Sequence, residues 1–346
     1  MKAVDLFAGC GGFSLGLSQA GLTIVAGVDN WPSAVEIYKL NFTHPSITQD
    51  LSDVAGTCKM LKSYKFDLIA GGPPCQDYSS CGNRNINGGR ADLTYSFSEI
   101  VIKRSPEFFI MENVERIRKS HILLDVIRDF ARANYGLTAV LLDASYCGVP
   151  QARTRFFLIG KKNESHNFLL GTMKSMLAKK PLTMREYFNS SLGIDYYYRH
   201  PRNYSRRAIY SLDEPSATIR GVNRPIPPGY KIHSNDPAGV KLKDVRPLTT
   251  EERARVQTFP ASFSWLGPRT AREQMIGNAV PVALAKFVGK ALLEFKDKGS
   301  IPYENEMLYD MSDWLLLPTQ TLDRGLKTMV QFNPEIKNKK LKSSTR

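Results

Sequence analysis

Two stretches of the chain place a reactive or charged side chain directly after a run of apolar residues. Residues 66–70 are predicted as a buried strand, and two glycines and two prolines then lead to Cys75. Pro74 fixes its own φ and biases the residue before it towards an extended backbone, so Cys75 follows a stiff turn. A second predicted strand, 107–111, leads to Glu112. A thiol nucleophile and a carboxyl acid could therefore meet at one sheet edge. A buried turn cysteine and a salt-bridged loop glutamate are the competing interpretations.

A third stretch, Gln151 to Arg155, comes directly before another predicted strand at 155–160. Alternate residues of an extended segment point the same way, so Arg153 and Arg155 would share one face. Two cations on one face suit a phosphate group or the carbonyl oxygen of a base. A solvated strand edge is the competing interpretation.

The start of the chain has the order strand, glycine-rich loop, helix. Residues 3–7 are predicted as the strand, and residues 13–20 as a helix that Gly21 ends. Glycines between the two let the backbone approach a ligand closely, and the helix N-terminus faces that ligand. The loop lacks the Lys-Ser/Thr ending of a phosphate-binding loop. By itself it supports a ligand cradle and an ordinary tight turn equally.

Two aspartates follow the glycine loop at positions that suit a nucleoside. Asp29 ends a second predicted strand, 23–28, about 20 residues after the loop, where an acidic side chain can hold ribose hydroxyls. Asp50 follows a short segment at 46–49 and could accept the amino group of adenine. Capping of a loop or helix is the alternative role for both. With the glycine loop, they favour a nucleoside cofactor without a pyrophosphate group, and S-adenosylmethionine fits that description.

Predicted helices separate these strands. One begins near Pro32, a residue that suits a first helical turn, and others cover residues 93–102 and 120–134. The last of these is amphipathic, and Gly136 is expected to end it. In an open α/β sheet, ligands bind outside the carboxyl ends of the strands, which is where the side chains above would gather.

The composition excludes several classes of protein. The chain has 346 residues and is 42% hydrophobic, enough for a sizeable core in one large domain or two. No apolar run reaches the ~18 residues of a membrane helix, and no signal peptide is expected. The five cysteines form no CxxC pair, so no metal site is expected. An odd number of cysteines fits a reduced, intracellular protein.

Positive charge is concentrated in the middle of the chain. The formal net charge of +14 favours a polyanionic partner, most simply nucleic acid. Residues 161–246 hold 16 Lys+Arg and 7 Asp+Glu, a net of +9, together with 7 of the 15 tyrosines. Basic residues interleaved with aromatics suit contact with a nucleic-acid backbone. Because periodicity is poor here, we predict a small irregular domain with some β-structure.

Regular structure returns after residue 246. Thr249 and Glu252 have the spacing of a capping box, so a helix is predicted from there to before Pro260. Another helix is predicted to follow residues 274–281 and to end at about residue 295. The lysine-rich end of the chain, after Glu335, is expected to be disordered.

Six stretches, in their order along the chain, resemble the motifs of the cytosine-C5 DNA methyltransferases of bacterial restriction-modification systems. Each motif is weak by itself, but the order of all six is specific, and the resemblance extends from residue 3 to about residue 295. The motifs are Phe7-Ala8-Gly9-x-Gly11-Gly12, Gly72-Pro73-Pro74-Cys75-Gln76, Glu112-Asn113-Val114, Gln151-x-Arg153-x-Arg155, Arg246-x-Leu248-Thr249 to Gln257-x-Phe259-Pro260, and Gly277-Asn278-Ala279-Val280-Pro281.

This resemblance implies the fold of an S-adenosylmethionine-dependent methyltransferase. That fold is a Rossmann-like α/β domain with a mostly parallel sheet, joined to a second, smaller target-recognition domain. Residues 1–164 and 274–300 would form a discontinuous catalytic and cofactor-binding domain, and residues 165–273 the target-recognition domain. Residues 301–346 would be a C-terminal extension. Duplex DNA would lie in the cleft between the two domains.

The resemblance also implies roles for individual residues. Cys75 would attack C6 of cytosine, Glu112 would hold or protonate N3, and Arg155, with Arg153, would hold O2 or a flanking phosphate. The positions that match the family's cofactor site are Phe7, Gly9, Gly11, Gly12, Asp29, Asn30, Asp50, Pro74, Asn278 and Val280. The positions expected to contact DNA are Gln76, Gln151, Arg206, Arg207, Thr218, Ile219, Arg220 and Gly221.

The implied activity is methyl transfer from S-adenosylmethionine to C5 of a cytosine that is flipped out of a specific short duplex sequence. It would proceed through a covalent Cys75–C6 intermediate. We expect a monomeric, cytoplasmic enzyme that binds duplex DNA and no membrane, and a restriction endonuclease acting on the same sequence would be its companion. Three alternatives remain: an RNA cytosine-C5 methyltransferase, whose nucleophile lies in a different cysteine motif; a DNA-binding homologue without turnover; and a small-molecule methyltransferase, which would not need the basic middle segment.

Overall fold

The structure is a computed structural model that describes residues 1–74, 93–201, 203, 206–302 and 331–332. Its strands are β1 (Lys2–Leu6), β2 (Thr23–Asp29), β3 (Ser46–Thr48), β4 (Leu68–Gly71), β5 (Phe108–Val114), β6 (Tyr135–Asp143), β7 (Gln151–Ala152), β8 (Thr154–Lys162), β9 (Tyr196–Tyr198), β10 (Ile209–Ser211), β11 (Ser216–Ala217), β12 (Arg246–Pro247) and β13 (Gln331–Phe332). Its helices are α1 (Gly12–Ala20), α2 (Pro32–Asn41), α3 (Val54–Leu61), α4 (Leu93–Arg104), α5 (His121–Arg132), α6 (Leu170–Met176), α7 (Met184–Phe188), α8 (Thr250–Val256), α9 (Arg269–Asn278) and α10 (Val282–Lys298).

The central sheet has eight strands in the order β13-β6-β8-β5-β4-β1-β2-β3. The five strands from β5 to β3 in this order run parallel to one another, and β13 is parallel to β6. β8 is antiparallel to both of its neighbours, β5 and β6. The predicted α/β fold with a mostly parallel sheet is therefore confirmed, with β8 as its exception.

Both faces of the sheet are covered, so successive residues of a strand enter different apolar clusters. In β5, Phe108 and Ile110 pack with α1, α6 and α10 on one face. Phe109 and Met111 pack with α3, α4 and α5 on the other face. Burial on both faces explains the continuous apolar runs of these strands. It leaves the strand ends as the places where polar side chains can meet a ligand.

The predicted domain boundary at residue 165 does not coincide with a change in packing. Phe168, Leu170 and Met173 belong to the same apolar cluster as Phe295 of α10 and the central sheet. A further cluster joins α2 of the large domain to α7, α8 and α9. The two predicted domains thus share apolar contacts, and their division at residue 165 stays a prediction.

Short strands form the segment after α7, as its poor periodicity indicated. β9 pairs with β10 in antiparallel fashion and with β12 in parallel, while β11 pairs with β7. At the end of this segment, Thr249 caps α8, and both hydrogen bonds of the capping box with Glu252 are formed. The prediction of a helix start at that position is confirmed.

The end of α5 differs from the prediction. Ser120 caps the helix, which ends at Arg132, and Asn134 makes the turn with φ 60°. Gly136 lies inside β6, where an added Cβ would come within 2.2 Å of the Glu164 carbonyl oxygen. The prediction that Gly136 ends the helix is wrong, because this glycine permits a close approach of two backbones.

One stretch, Arg269–Lys298, is long and apolar enough to cross a membrane by length and composition, which corrects the expectation from apolar run length. In the fold it is two helices, α9 and α10, and 67% of its apolar window is buried. Core packing of α10 against α1 accounts for that apolarity.

Candidate active site

A cavity of about 470 Å³ opens at the carboxyl edge of the central sheet. It lies at the ends of β1, β2, β4 and β5, as expected for an open α/β sheet. The predicted site residues that line it are Phe7, Gly9, Gly12, Asp29, Asn30, Asp50, Pro74, Glu112, Arg153, Arg155, Asn278 and Val280. Cys75 and Gln76, which follow Pro74 in the chain, lie outside the described residues.

The loop between β1 and α1 is shaped by positive φ angles and by Asp29. Phe7, Gly9 and Gly11 have φ angles of 58°, 53° and 98°. A Cβ at position 9 would meet no atom within 4 Å, so glycine is favoured there by the backbone angle and not by lack of space. Asp29 accepts the N–H of Gly9 through Oδ2 and that of Trp31 through Oδ1, each at 2.8 Å. The carboxylate therefore holds the glycine loop against the end of β2.

This wall of the cavity has groups that suit a nucleoside-containing ligand. α1 begins at Gly12 without a side-chain cap, and an added Cβ on Gly12 would come within 2.5 Å of the Val280 carbonyl oxygen. Asp50 is exposed, and hydrogen bonds from the N–H and hydroxyl of Ser52 lower its pKa, so it is an ionised acceptor. Glycine backbone, an uncapped helix N-terminus and an ionised carboxylate suit the polar groups of a nucleoside. Trp31, which lies outside the six motifs, adds an aromatic surface to the same wall.

Asn113 positions the turn that precedes Cys75. Its side-chain amide, in a residue that is 3% exposed, donates to the Pro73 carbonyl oxygen at 3.0 Å. Its amide oxygen accepts the N–H of Val114 at 2.8 Å. The residue thus ties the end of β5 to the turn after β4. Its place directly after Glu112 is the sequence signal that could have assigned it to the site.

Glu112 and Arg155 form a buried ion pair in the cavity. Glu112 Oε1 lies 2.9 Å from Arg155 Nε, and their side chains are 11% and 13% exposed. Burial raises the pKa of Glu112, and the charges of Arg155 and Arg153 only partly offset this effect. An added Cβ on Gly72 would come within 3.1 Å of Glu112 Oε2, so the glycine leaves room beside the carboxyl group. A carboxyl group in this setting can hold a proton at a higher pH than an exposed one.

Arg153 lines the same cavity but binds protein groups. Its guanidinium donates to the carbonyl oxygens of Ile219, Gly277 and Ala279 at 3.0, 3.0 and 3.3 Å. The residue is 2% exposed, and burial lowers its pKa well below the ordinary value. Arg153 and Arg155 line one cavity, as their alternation in the sequence predicted. The guanidinium of Arg153, however, is bound by carbonyl groups of the basic middle segment and of the end of α9 and the residue after it.

Gln151 and Gln257 extend this junction. Gln151 is fully buried, accepts the N–H of Ile219 at 2.8 Å and donates to the Gln257 side chain at 2.6 Å. Gln257 in turn donates to the carbonyl oxygens of Ile276 and Ala279 at 2.6 and 3.1 Å. The side chain of Gln151, expected to contact DNA, faces protein in this fold. Exposure of a side chain depends on packing between distant segments, so spacing could not have shown it.

The other predicted DNA contacts between residues 218 and 221 are also anchored. The Thr218 hydroxyl donates to the Ala152 carbonyl oxygen at 3.0 Å, and Ile219 is 5% exposed. Arg220 donates to the His200 carbonyl oxygen. Gly221 packs on Gln274, and a Cβ added to Gly221 would lie 3.2 Å from the Gln274 Cα. These four residues secure the start of the loop that follows them.

The two adjacent arginines differ in their surroundings. Arg207 donates to both carboxylate oxygens of Glu214, at 2.9 and 2.5 Å, and its guanidinium lies 4.2 Å from the ring centroid of Tyr210. The side chain of Arg206 is exposed. Exposed Arg206 is therefore better placed than Arg207 to meet a phosphate group.

The described cysteines are poor nucleophiles. Cys10 lines the cavity, but burial raises the pKa of its thiol to about 12. Burial also raises the pKa of Cys147 well above its ordinary value, and that of Cys58 to a smaller extent. The thiolate is the nucleophilic form of cysteine, so none of these three is suited to attack. Among the side chains that the structure describes, no group of His, Cys, Asp and Glu could hold a metal ion.

Sequence comparisons identify the family of the chain. The profile of the C-5 cytosine-specific DNA methylases matches residues 1–294. Type II methyltransferase M.HindV of Haemophilus influenzae is 60% identical over 296 residues, which cover 86% of this chain and 97% of the relative. M.HgiDI of Herpetosiphon aurantiacus, also a Type II methyltransferase, is 52% identical over 292 residues, which cover 84% of this chain and 94% of the relative.

Solved structures show the same fold. The S. pombe Dnmt2 methyltransferase matches with a TM-score of 0.64 at 20% identity, and the match covers 85% of this chain and 98% of that one. A putative DNA modification methyltransferase from an E. coli prophage matches with a TM-score of 0.61 at 20% identity, covering 86% of this chain and all of that one. Because the family profile spans every motif from the glycine loop to α10, the chain belongs to the C-5 cytosine-specific DNA methylases and is a DNA cytosine-5-methyltransferase.

Proposed function

We propose that this enzyme transfers a methyl group from S-adenosylmethionine to C5 of a cytosine flipped out of a specific short duplex sequence. One observation carries the proposal. The buried Glu112–Arg155 pair shares a single cavity with the glycine loop and with the turn that leads to Cys75. When bound, S-adenosylmethionine would supply an electrophilic methyl group, held by the glycine loop, Asp29, Asp50 and Asn278.

Cys75 is the proposed nucleophile. Cytosine C5 is a weak nucleophile, and addition of the Cys75 thiolate at C6 would turn it into an enamine-like carbon that can take the methyl group from the sulfonium. Loss of the C5 proton to water and departure of the Cys75 thiolate from C6 would then restore the aromatic ring. Pro74 lines the cavity directly before Cys75 in the chain. The raised pKa values of Cys10 and Cys147 argue against either of these as the attacking group.

Glu112 is the proposed acid at N3. Negative charge develops in the ring when sulfur adds to C6, and a proton or hydrogen bond at N3 balances it. Burial raises the pKa of Glu112 and so favours the protonated form that can donate. Arg155 would hold that carboxyl group in place through its 2.9 Å contact and could also reach O2 of the base.

The need to flip the cytosine out of the duplex follows from the same chemistry. C6 cannot be reached inside a stacked duplex, so the cytosine must leave the stack. The relatives are Type II methyltransferases, and we propose a companion restriction endonuclease that acts on the same sequence. We also propose that the enzyme works as a cytoplasmic monomer. Bisulfite sequencing of DNA from a methylation-free host that expresses the chain would identify the modified sequence.

A mechanism-based trap tests the proposal. A duplex with 5-fluorocytosine at the target should capture the enzyme covalently in the presence of S-adenosylmethionine, because fluorine cannot leave as a cation. Peptide mapping should place the adduct on Cys75, and Cys75→Ala should abolish both trapping and methyl transfer while duplex binding persists. An adduct on Cys81 or Cys147 would contradict the assignment. Trapping by tRNA in place of the duplex would favour the RNA alternative.

A further inference from the structure

A line of short hydrogen bonds runs beneath the glycine loop. Asp5 of β1 is fully buried, and its Oδ2 accepts the Ser14 hydroxyl at 2.6 Å. The Ser14 and Tyr38 hydroxyls lie 2.6 Å apart, and the Tyr38 hydroxyl lies 2.7 Å from Nε2 of half-buried His44. The line connects the inside of the sheet to the surface and uses none of the residues assigned to methyl transfer.

The line closes the base of the glycine loop. Asp5 precedes the loop and Ser14 follows it in the first turn of α1, so their hydrogen bond joins its two ends. Tyr38 fits beside it because two neighbours are glycines. A Cβ added to Gly27 would lie 2.3 Å from the Tyr38 ring, and a Cβ added to Gly11 would lie 3.1 Å from it. A change at Asp5 would therefore reach the loop through Ser14.

No cation neutralises Asp5 among the residues that the structure describes. The flanking strands place Gly27 and Ala70 opposite it. Asp29 is the charged group that acts on it, and Tyr38 and His44 are the titratable groups on the line. Its Oδ1 is buried without a partner. Burial raises the pKa of Asp5 to about 7, hydrogen bonds from Ser14 lower it, and Asp29 raises it.

Each hydroxyl on the line has one proton, so the charge of Asp5 sets the direction of every bond. When Asp5 is ionised, Ser14 donates to it, Tyr38 donates to Ser14, and His44 donates from Nε2. When Oδ2 is protonated, it donates to Ser14, and the same bonds run towards His44, which then accepts at Nε2. Burial lowers the pKa of His44, which favours its neutral form, so both arrangements need only a change of its tautomer.

We propose that Asp5 is a positioning residue whose charge makes the cavity prefer a cationic cofactor over its neutral product. The inference rests on the proposed function, in which a sulfonium cofactor binds and leaves as a neutral thioether. Ionised Asp5, together with Asp29, holds negative charge behind the glycine loop, and an opposite charge in the cavity is stabilised most strongly where water is excluded. Protonation of Asp5 weakens that preference, because the charge of Asp29 alone then remains.

Binding measurements without DNA test the inference. The dissociation constants of S-adenosylmethionine and S-adenosylhomocysteine would be measured calorimetrically on the full chain. The range from about pH 5.5 to about pH 8 extends to either side of the Asp5 pKa of about 7. The preference for the cationic ligand should rise with pH, by about tenfold if its binding lowers the pKa of Asp5 by one unit. In Asp5→Asn the ratio should be flat across this range.

Two further variants separate charge from general structure. Tyr38→Phe keeps the carboxyl group but interrupts the line, so the midpoint of the pH dependence should move to higher pH. Tyr135→Phe is the matched control, because Tyr135 is equally buried and its hydroxyl donates to the Pro106 carbonyl oxygen away from the loop; it should leave the midpoint in place. Carboxyl ¹³C titration of the ligand-free protein should show the Asp5 midpoint near 7.

The outcomes distinguish this inference from the proposed function. Binding of both ligands with a ratio that is independent of pH would overturn the role of Asp5 and leave methyl transfer intact. A pH dependence that persists in Asp5→Asn, or a midpoint that Tyr38→Phe does not move, would also overturn it. Failure of both ligands to bind would instead overturn the proposed cofactor, and the inference with it.

Discussion

The cavity differs from the basic segment, defined as residues 182–247 from after α6 to the end of β12, in which hydrogen bonds hold it in shape. The cavity lies at the ends of parallel strands whose ladders of main-chain hydrogen bonds position it. The basic segment has strands of two or three residues. Its shape depends on single polar side chains that bind main-chain groups, such as Arg199, whose guanidinium donates to the Thr218 carbonyl oxygen at 2.9 Å.

Asp236 shows this dependence most clearly. Its Oδ1 accepts the N–H groups of Ala208 and Ile209 at 2.9 Å each, and its Oδ2 accepts the Tyr230 hydroxyl and the His233 N–H at 2.7 and 2.8 Å. One carboxylate thereby closes the loop that follows residue 221. Single substitutions in the cavity should therefore change chemistry, whereas single substitutions in the basic segment should change shape and DNA binding.

Among the described residues of the two regions, the largest expected effect is at Glu112 in the cavity. Glu112→Gln should lower turnover by roughly 10²–10⁴-fold, the range for loss of a positioned acid, because the amide can donate to N3 but cannot transfer a proton. Wild-type turnover under single-turnover conditions should fall as pH rises through the raised pKa of Glu112, and the Gln variant should lack that limb. Full activity in the variant would assign the proton at N3 to another group.

An intermediate effect is expected at Asp236. Asp236→Ala would leave buried N–H groups without an acceptor, at a cost of about 1–3 kcal/mol in the free energy of unfolding. Although burial raises it, hydrogen bonds from Ile209, His233, Tyr230 and Ala208 bring the pKa of Asp236 below its ordinary value. Its stabilisation is thus complete above the unfolded pKa of about 3.9 and is lost as pH falls through the lower folded value.

Urea unfolding and duplex binding would measure this effect. The variant should bind duplex DNA more weakly while its affinity for S-adenosylmethionine stays unchanged. If the affinity for S-adenosylmethionine fell in parallel with the affinity for DNA, the shape of the cavity would depend on the basic segment, and the two regions would not be independent.

The smallest effect is expected from the adjacent arginines, which sharpen the comparison within the basic segment. Arg206→Ala should weaken binding to all duplexes alike and reduce the salt dependence by about one phosphate contact, because this side chain is exposed. Arg207→Ala should instead lower stability and leave the salt dependence nearly unchanged, since its guanidinium is bound by Glu214. Fluorescence binding at several salt concentrations would show the difference, and equal salt slopes for both variants would reject it.

Some features could be read from the residues because they depend on neighbours in the chain. The strand, glycine loop and helix at the start of the chain are set by local backbone preferences, and the observed β1 and α1 follow them. The capping box of Thr249 and Glu252 is likewise a contact between residues three apart. Motif order alone was enough to indicate the family, and the profile match confirms it.

Other features depend on pairing between distant segments. Glu112 was predicted to follow its strand, but β5 continues to Val114 because β8 pairs with it in antiparallel fashion, with Val114 opposite Arg155. That pairing brings Arg155 to the carboxyl group of Glu112. No local pattern shows the direction of a strand that lies between two others in the sheet.

The sequence by itself indicated the fold class, the family and many of the residues that line the cavity, though not Trp31 or Asn113, because these follow from the order of local motifs. Tertiary structure alone decided which polar side chains face a ligand and which face protein. Gln151 and Arg153 are residue types, at a spacing, that are typical of nucleic-acid contacts. Residues 216–221 and 276–279 nevertheless pack around both side chains and bury them. Burial and the pKa values that follow from it, as at Asp5 and Glu112, are properties of the assembled core.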